Sequence, residues 1–91
     1  LIEKALKLSP DDPFILDSMG WALFKLGRYD DAVVYLGRAY AGRPDAEIAA
    51  HLGEVLWVKG ERDRAKEIWA AQLKDAPDHP VLLETMRRLS R

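Results

Sequence analysis

The sequence predicts an all-α solenoid of antiparallel helix pairs, and three observations carry that prediction. A pattern of glycine, alanine and proline recurs at an interval of 33 residues along the 91-residue chain. Apolar residues inside each recurrence follow helical spacing, and no segment alternates apolar and polar residues as a strand would. The interval is also close to the repeat length of solenoids, whose neighbouring units share one core. We therefore expect about six helices and no strands.

The repeat is visible at four pairs of landmarks: Gly20 and Gly53, Gly27 and Gly60, Ala32 and Ala65, and Pro44 and Pro77. An earlier proline, Pro10, precedes Pro44 by 34 residues and is likewise followed by an aspartate. This register divides the chain into four parts. They are the trailing second helix of a preceding unit (1–12), two complete units (13–45 and 46–79) and a C-terminal capping helix (80–91).

Start and stop signals place each helix in turn. An aspartate cap or a proline in the first turn favours a helix start, and such residues occur at Asp12-Pro13, Asp45 and His79-Pro80. Glycine favours the left-handed end of a helix, as at Gly27 and Gly60. The predicted helices are about 1–8, 13–26, 29–41, 46–59, 62–75 and 80–90. Because the intervening loops are short, successive helices should be antiparallel.

Composition excludes several classes of function. The chain has 14 Lys+Arg against 15 Asp+Glu, and this balance argues against a nucleic-acid partner or a polybasic membrane anchor. No apolar run approaches the 18 residues of a membrane-spanning helix, so we expect no direct membrane insertion. Cysteine is absent, which removes disulfides, thiolate metal sites and cysteine nucleophiles.

The repeated motif resembles that of the tetratricopeptide repeat family, W-x2-L-G-x2-Y, then A-x3-F, then P. The first unit supplies Leu16, Met19, Gly20, Leu23, Ala32, Leu36 and Pro44 at these positions. The second supplies Ala49, Leu52, Gly53, Leu56, Ala65, Trp69 and Pro77. One departure is Gln72, which stands where the first unit has Ala39 and puts the tightness of that helix contact in question. The resemblance implies a non-catalytic module that binds protein.

Residues 16–21 and 49–54 also resemble the C-terminal repeats of bacterial repeat lipoproteins. These proteins act as adaptors or assembly factors in the cell envelope. That resemblance implies a periplasmic or outer-membrane-associated location, and without it the location would be cytoplasmic.

The family resemblance implies a concave binding surface lined by the first helix of each unit. Carried across by position, its lining is Phe14, Asp17, Ser18, Trp21, Phe24, Lys25, Glu47, Ala50, His51, Glu54, Trp57, Val81, Glu84, Thr85 and Arg88. The carboxylates predict a mildly acidic groove. The best-known peptide site of the family grips a C-terminal carboxylate with lysine, asparagine and arginine. The matching places in the first unit hold Asp17 and Trp21, so the resemblance does not imply such capture here. Trp21 lies outside the apolar stripe of its helix, so it is either a partly exposed binding anchor or a residue packed on the neighbouring helix.

The polar residues of the predicted groove are more typical of an ordinary surface than of a catalytic or metal site. Ser18 and His51 occupy equivalent positions in adjacent units, but no strained turn accompanies them as in a nucleophile site. Glu47, His51 and Glu54 share a helix face, yet one histidine is a weak signal for zinc. We therefore predict no catalysis, metal or cofactor. The leading interpretation is a scaffold or adaptor for a protein or peptide partner, and the alternative is a structural cap of a longer solenoid.

Two further expectations concern packing. Glycine costs about 1 kcal/mol relative to alanine inside a helix, so Gly20 and Gly53 predict close helix approaches. The helix predicted at 1–8 lacks its own partner helix. An uncovered apolar patch favours association, so we expect this end either to fray or to self-associate through Ile2 and Leu6.

Overall fold

Five α-helices form the fold of residues 12–90, which are the residues that the computed structural model describes. They are α1 (Pro13–Lys25), α2 (Tyr29–Gly42), α3 (Ala46–Lys59), α4 (Arg62–Asp75) and α5 (Pro80–Leu89). Each agrees with its predicted bounds to within one residue, and the described range contains no strand, so the all-α prediction is confirmed. The helix predicted at 1–8 and the association predicted through Ile2 and Leu6 lie outside the described residues.

The predicted capping residues begin and end these helices. The Asp12 carboxylate accepts a hydrogen bond from the Phe14 N–H at 2.9 Å, and the Asp45 carboxylate accepts one from the Glu47 N–H at 2.8 Å. Each bond satisfies a backbone donor that has no partner within its own helix. Gly60 ends α3 with a φ of 102°, a left-handed conformation that glycine adopts without steric cost.

The helices pack as consecutive antiparallel hairpins on a shared core. Helix α1 packs on α2 and α3 packs on α4, while α3 also contacts α1, α2 and α5. One buried cluster runs through both units, and its largest members are Leu36, Leu56, Trp69 and Leu82. The units are therefore not separate domains, because each completes the core of the next.

Both mid-helix glycines mark close approaches, as predicted. A Cβ atom at Gly20 would lie 2.6 Å from the Leu36 Cγ, and one at Gly53 would lie 2.0 Å from the Trp69 Nε1. Leu36 and Trp69 occupy equivalent positions in the two units, so the same glycine contact occurs twice. Trp69 is fully buried, which confirms its assignment to the core.

Gln72, which replaces the alanine of the first unit, is accommodated at a tight helix contact. Its side chain is 6% exposed, and its Nε2 donates a hydrogen bond to the Tyr40 hydroxyl at 2.9 Å. This bond joins α4 to α2 across one repeat. A buried amide is tolerated at this contact because a hydroxyl of the neighbouring unit satisfies it.

Replacing Tyr40 with phenylalanine should lower the free energy of unfolding by about 1 kcal/mol, because the buried Gln72 amide loses its acceptor. Chemical denaturation measures this change. The matched control is Tyr29→Phe, since Tyr29 is exposed and its hydroxyl has no described partner. The double variant Tyr40→Phe/Gln72→Leu should recover most of the loss. An equal loss in Tyr40→Phe and Tyr29→Phe would show that the hydrogen bond between Tyr40 and Gln72 does not stabilise the fold.

Candidate functional site

The first helices of the units, α1, α3 and α5, form one surface, which we call the first-helix face. Two side-chain contacts join them. His51 Nδ1 lies 2.8 Å from Asp17 Oδ1, and Arg88 Nη2 donates to Glu54 Oε1 at 2.6 Å. Each contact spans 34 residues, about one repeat. The structure therefore brings together side chains that the sequence assigned to a single groove.

Trp21 is stacked between units at the middle of this face. Its ring lies 4.2 Å from the His51 ring, centroid to centroid, with the planes inclined by 24°. The Phe24 ring lies 4.9 Å from the Trp21 ring, centroid to centroid, and the Lys25 ammonium lies 5.1 Å from the Trp21 centroid. Trp21 remains partly accessible. Trp21 therefore packs on the neighbouring helix and is also partly exposed, and its role as a binding anchor stays a prediction.

His51 is held by contacts of two kinds. Trp21 covers one face of its ring, and the Asp17 carboxylate bonds its Nδ1. If Nδ1 carries the proton, the carboxylate accepts from it, and Nε2 presents a lone pair. Trp21 and Asp17 together fix the orientation of the His51 ring on the first-helix face.

Trp57 occupies the equivalent of Phe24 in the second unit, and side chains of α4 contact its ring. It stacks on the buried Trp69 ring, with the centroids 5.6 Å apart. The Arg62 guanidinium lies 4.8 Å from the Trp57 centroid, and the Lys66 ammonium lies 5.8 Å from it. Trp57 and Phe24 are both partly buried against the core, the position expected of residues at its edge.

The acidic character predicted for the groove is largely offset. The Glu54 carboxylate is paired with Arg88, and this side-chain hydrogen bond raises the pKa of the Arg88 guanidinium above its ordinary value. Glu84 is paired with Arg87. With Asp17 bonded to His51, Glu47 is the one carboxylate of the predicted set without a described cationic or histidine partner. The pairing residues come from neighbouring turns and units, which a count of charges does not reveal.

Two residues that the register assigned to the groove lining are buried instead. Ala50 is 1% exposed and Thr85 is 6% exposed, so their assignment to the lining was wrong. Ala50 is covered because α3 is the central helix and has neighbours on several sides. Thr85 lies 33 residues after Leu52 and takes the same core position in α5. Phe14 is exposed in the first turn of α1, and the Arg43 guanidinium lies over its ring.

In the described part of the chain, the remaining predicted residues are not arranged as a catalytic or metal site. Ser18 is exposed, and no described hydrogen bond joins it to His51, whose Nδ1 is bonded to Asp17. Within residues 12–90 no three His, Asp or Glu side chains are placed to hold a metal ion. None of the five helices is long and apolar enough to cross a membrane.

Sequence reasoning missed the cations that α4, the second helix of the second unit, contributes to this surface. Arg62 and Lys66 come from α4 and lie over a ring of α3. The repeat register contained the signal, because Arg62 is equivalent to Tyr29, which lies 5.5 Å from Phe24. A residue at this position contacts the last aromatic of the preceding helix in both units.

Comparison with known proteins agrees with this geometry. The family model of the tetratricopeptide repeat matches residues 23–89. A TPR repeat-containing protein of Pseudomonas aeruginosa is 59% identical over 54 residues, which are 59% of this chain and 9% of that protein. The chain thus matches only a small part of this much longer relative.

Proposed function

The chain belongs to the tetratricopeptide repeat family, and from that premise we propose that it is a non-catalytic module whose first-helix face binds a protein or peptide. Repeats of this family generally mediate protein–protein interaction. The observation that carries the proposal for this face is the stack of Trp21 on His51 across two units. It is a partly exposed indole whose position both units determine.

Such an aromatic is suited to anchor a partner. Tryptophan is enriched among the residues that dominate binding energies, in particular near the centre of an interface. Its neighbours Phe24 and His51 restrict the ring before a partner arrives. Little side-chain entropy is then lost on binding, which favours affinity. The paired carboxylates around the ring supply polar groups that orient a ligand without repelling it.

The specific form of this role is an adaptor or scaffold. The match to a small part of a longer bacterial protein supports a module that acts within a larger chain. The resemblance to repeat lipoproteins favours an adaptor of the cell envelope. Catalysis has no support from the first-helix face, where the one described histidine is bonded to Asp17 and not to a nucleophile.

A peptide library displayed on phage, selected against the 91-residue chain, tests the binding function. Trp21→Ala should weaken the binding of the selected peptides by about 2 kcal/mol or more, because it removes the anchor. The matched control is Val34→Ala on α2, whose side chain is exposed outside the first-helix face. Isothermal titration measures both affinities, and circular dichroism confirms that both variants fold.

Two outcomes would contradict the proposal. Selected peptides that bind Trp21→Ala and Val34→Ala equally well would place the site elsewhere. A selection that yields no specific peptide would favour the alternative role, in which these repeats only cap a longer solenoid.

A further inference from the structure

Three cations lie over aromatic rings along one edge of the first-helix face. The Lys25 ammonium lies 5.1 Å from the Trp21 centroid and 6.0 Å from that of Phe24. In the next unit the Arg62 guanidinium and the Lys66 ammonium lie over Trp57, as described above. We call these six residues the ring–cation edge. Each unit contributes at least one ring and one cation to it.

The two halves of the edge are built around equivalent residues of consecutive units. Phe24 and Trp57 are 33 residues apart, and each lies in the last turn of its first helix. Lys59 connects the same edge across the units, since its ammonium lies 3.0 Å from carboxylate oxygens of both Asp30 and Glu61. The end of α3 is therefore tied to the start of α2.

The cations of the ring–cation edge differ from most others in the described range. Six cations form ion pairs with described carboxylates: Arg28, Arg43, Lys59, Arg64, Arg87 and Arg88. In contrast, Lys25, Arg62 and Lys66 form no ion pair with any carboxylate of residues 12–90, and the Asp30 and Glu61 carboxylates nearby are engaged by Lys59. The positive charge of the edge is thus not neutralised within the described fold.

Contact with the rings also limits where these charges can move. A cation over an aromatic face is attracted by the negative face of the ring, so the long side chains are partly ordered before binding. When a partner carboxylate pairs with these cations, less binding free energy is then lost to ordering the Lys and Arg side chains. The rings beneath offer apolar area beside the charges, where an adjacent aliphatic or aromatic side chain of the partner can pack.

We propose that the ring–cation edge binds an acidic segment of a protein partner, whose side-chain carboxylates pair with Lys25, Arg62 and Lys66 and whose apolar residues pack on Trp21 and Trp57. This inference rests on the proposed function, since it names the chemistry of a partner for the same face. It concerns carboxylates along a chain, so a free C-terminus is not required.

Three end-blocked peptides of equal length test the charge preference. One alternates Glu with Leu, and the others carry Gln or Lys in place of Glu. Titrations are followed by the indole N–H resonances of Trp21 and Trp57 at low and at moderate salt. The Glu peptide should bind at least about tenfold more tightly than the Gln peptide, with a difference that shrinks as salt screens the charges. Equal affinity of the two peptides would overturn the proposal, as would preference for the Lys peptide.

Charge reversal locates the site. The double variant Arg62→Glu/Lys66→Glu should weaken the Glu peptide by about tenfold or more at low salt. The matched control is the single reversal Lys74→Glu in the last turn of the same helix, which should change affinity by less than about twofold. The single reversal Arg62→Glu gives the comparison at equal net charge. Equal losses in Arg62→Glu and Lys74→Glu would reduce the effect to net charge and overturn the assignment of the edge.

The outcome also separates this inference from the function on which it rests. If peptides from the phage selection depend on Trp21 but are indifferent to Arg62→Glu/Lys66→Glu, the binding face stands and the acidic partner is wrong. If the phage selection yields no specific peptide and the Glu peptide does not bind either, the binding function itself is wrong.

Discussion

Replacing Gly53 with alanine is expected to destabilise the protein by about 2–3 kcal/mol through overpacking, although alanine is the better helix former. The added Cβ would lie 2.0 Å from Nε1, 2.5 Å from Cε2 and 2.8 Å from Cδ1 of Trp69. Trp69 is fully buried and stacked on Trp57, so its ring cannot move aside without disturbing the core. The steric cost must therefore exceed the gain in helix propensity, which is about 1 kcal/mol.

Gly37 provides the matched control in the interior of α2. A Cβ there meets nothing within 4 Å, so Gly37→Ala should raise the free energy of unfolding by about 0.5–1 kcal/mol. Gly53→Ala in a Trp69→Leu background should cost much less than in the wild type, because the indole Nε1 and Cε2 atoms that the added Cβ approaches most closely are absent from leucine. Chemical denaturation measures the wild type, the three single variants and the double variant. The same cost in both backgrounds would show that the close approach to Trp69 does not set the effect.

Truncating Leu82 to alanine is expected to cost about 2–5 kcal/mol, the usual range for a buried leucine. Its side chain is fully buried and attaches α5 to the shared core. Because α5 is at the end of the described fold, the loss should be concentrated there. Amide hydrogen exchange should accelerate in α5 more than in α1 and α2, and the contact between Arg88 and Glu54 should weaken.

Leu83→Ala is the control for this prediction. Leu83 is the next residue of the same helix, undergoes the same chemical change and is 42% exposed. Its truncation should change the free energy of unfolding by less than about 0.5 kcal/mol, as surface substitutions usually do. Equal effects of the two truncations would mean that α5 is not held by the side chain of Leu82.

The helix bounds were predictable because the determining interactions are local. Asp12 and Asp45 cap the first turns of their helices through bonds to residues two and three positions away. Gly60 ends its helix through its own backbone freedom. The pairing of units was also predictable, because a fixed repeat length means that each contact recurs. Thr85 was misassigned because α5 contains no glycine landmark, and a shift of one position exchanges core and surface.

The candidate site was less predictable, because its properties arise from side-chain partners in different units. Sequence position placed Asp17, His51 and Trp21 on one face, and the structure brings these three together. The charge of the face was not predictable from the same list, since Glu54 is paired with Arg88 from 34 residues away. The cations over Trp57 were missed because only the first helices were considered.

The contacts between units also bear on how the chain folds. Asp17 with His51, Tyr40 with Gln72 and Glu54 with Arg88 all join residues separated by 32 to 34 positions. Loops of this length close at modest entropic cost, but contacts at this separation are non-local, so they should form after the local contacts within each helix hairpin. Because each unit depends mainly on its neighbours, folding can begin in either hairpin and spread to the other. A partner bound across α1 and α3 would hold the two units together, and the unfolding rate of the module would fall while that partner remained bound.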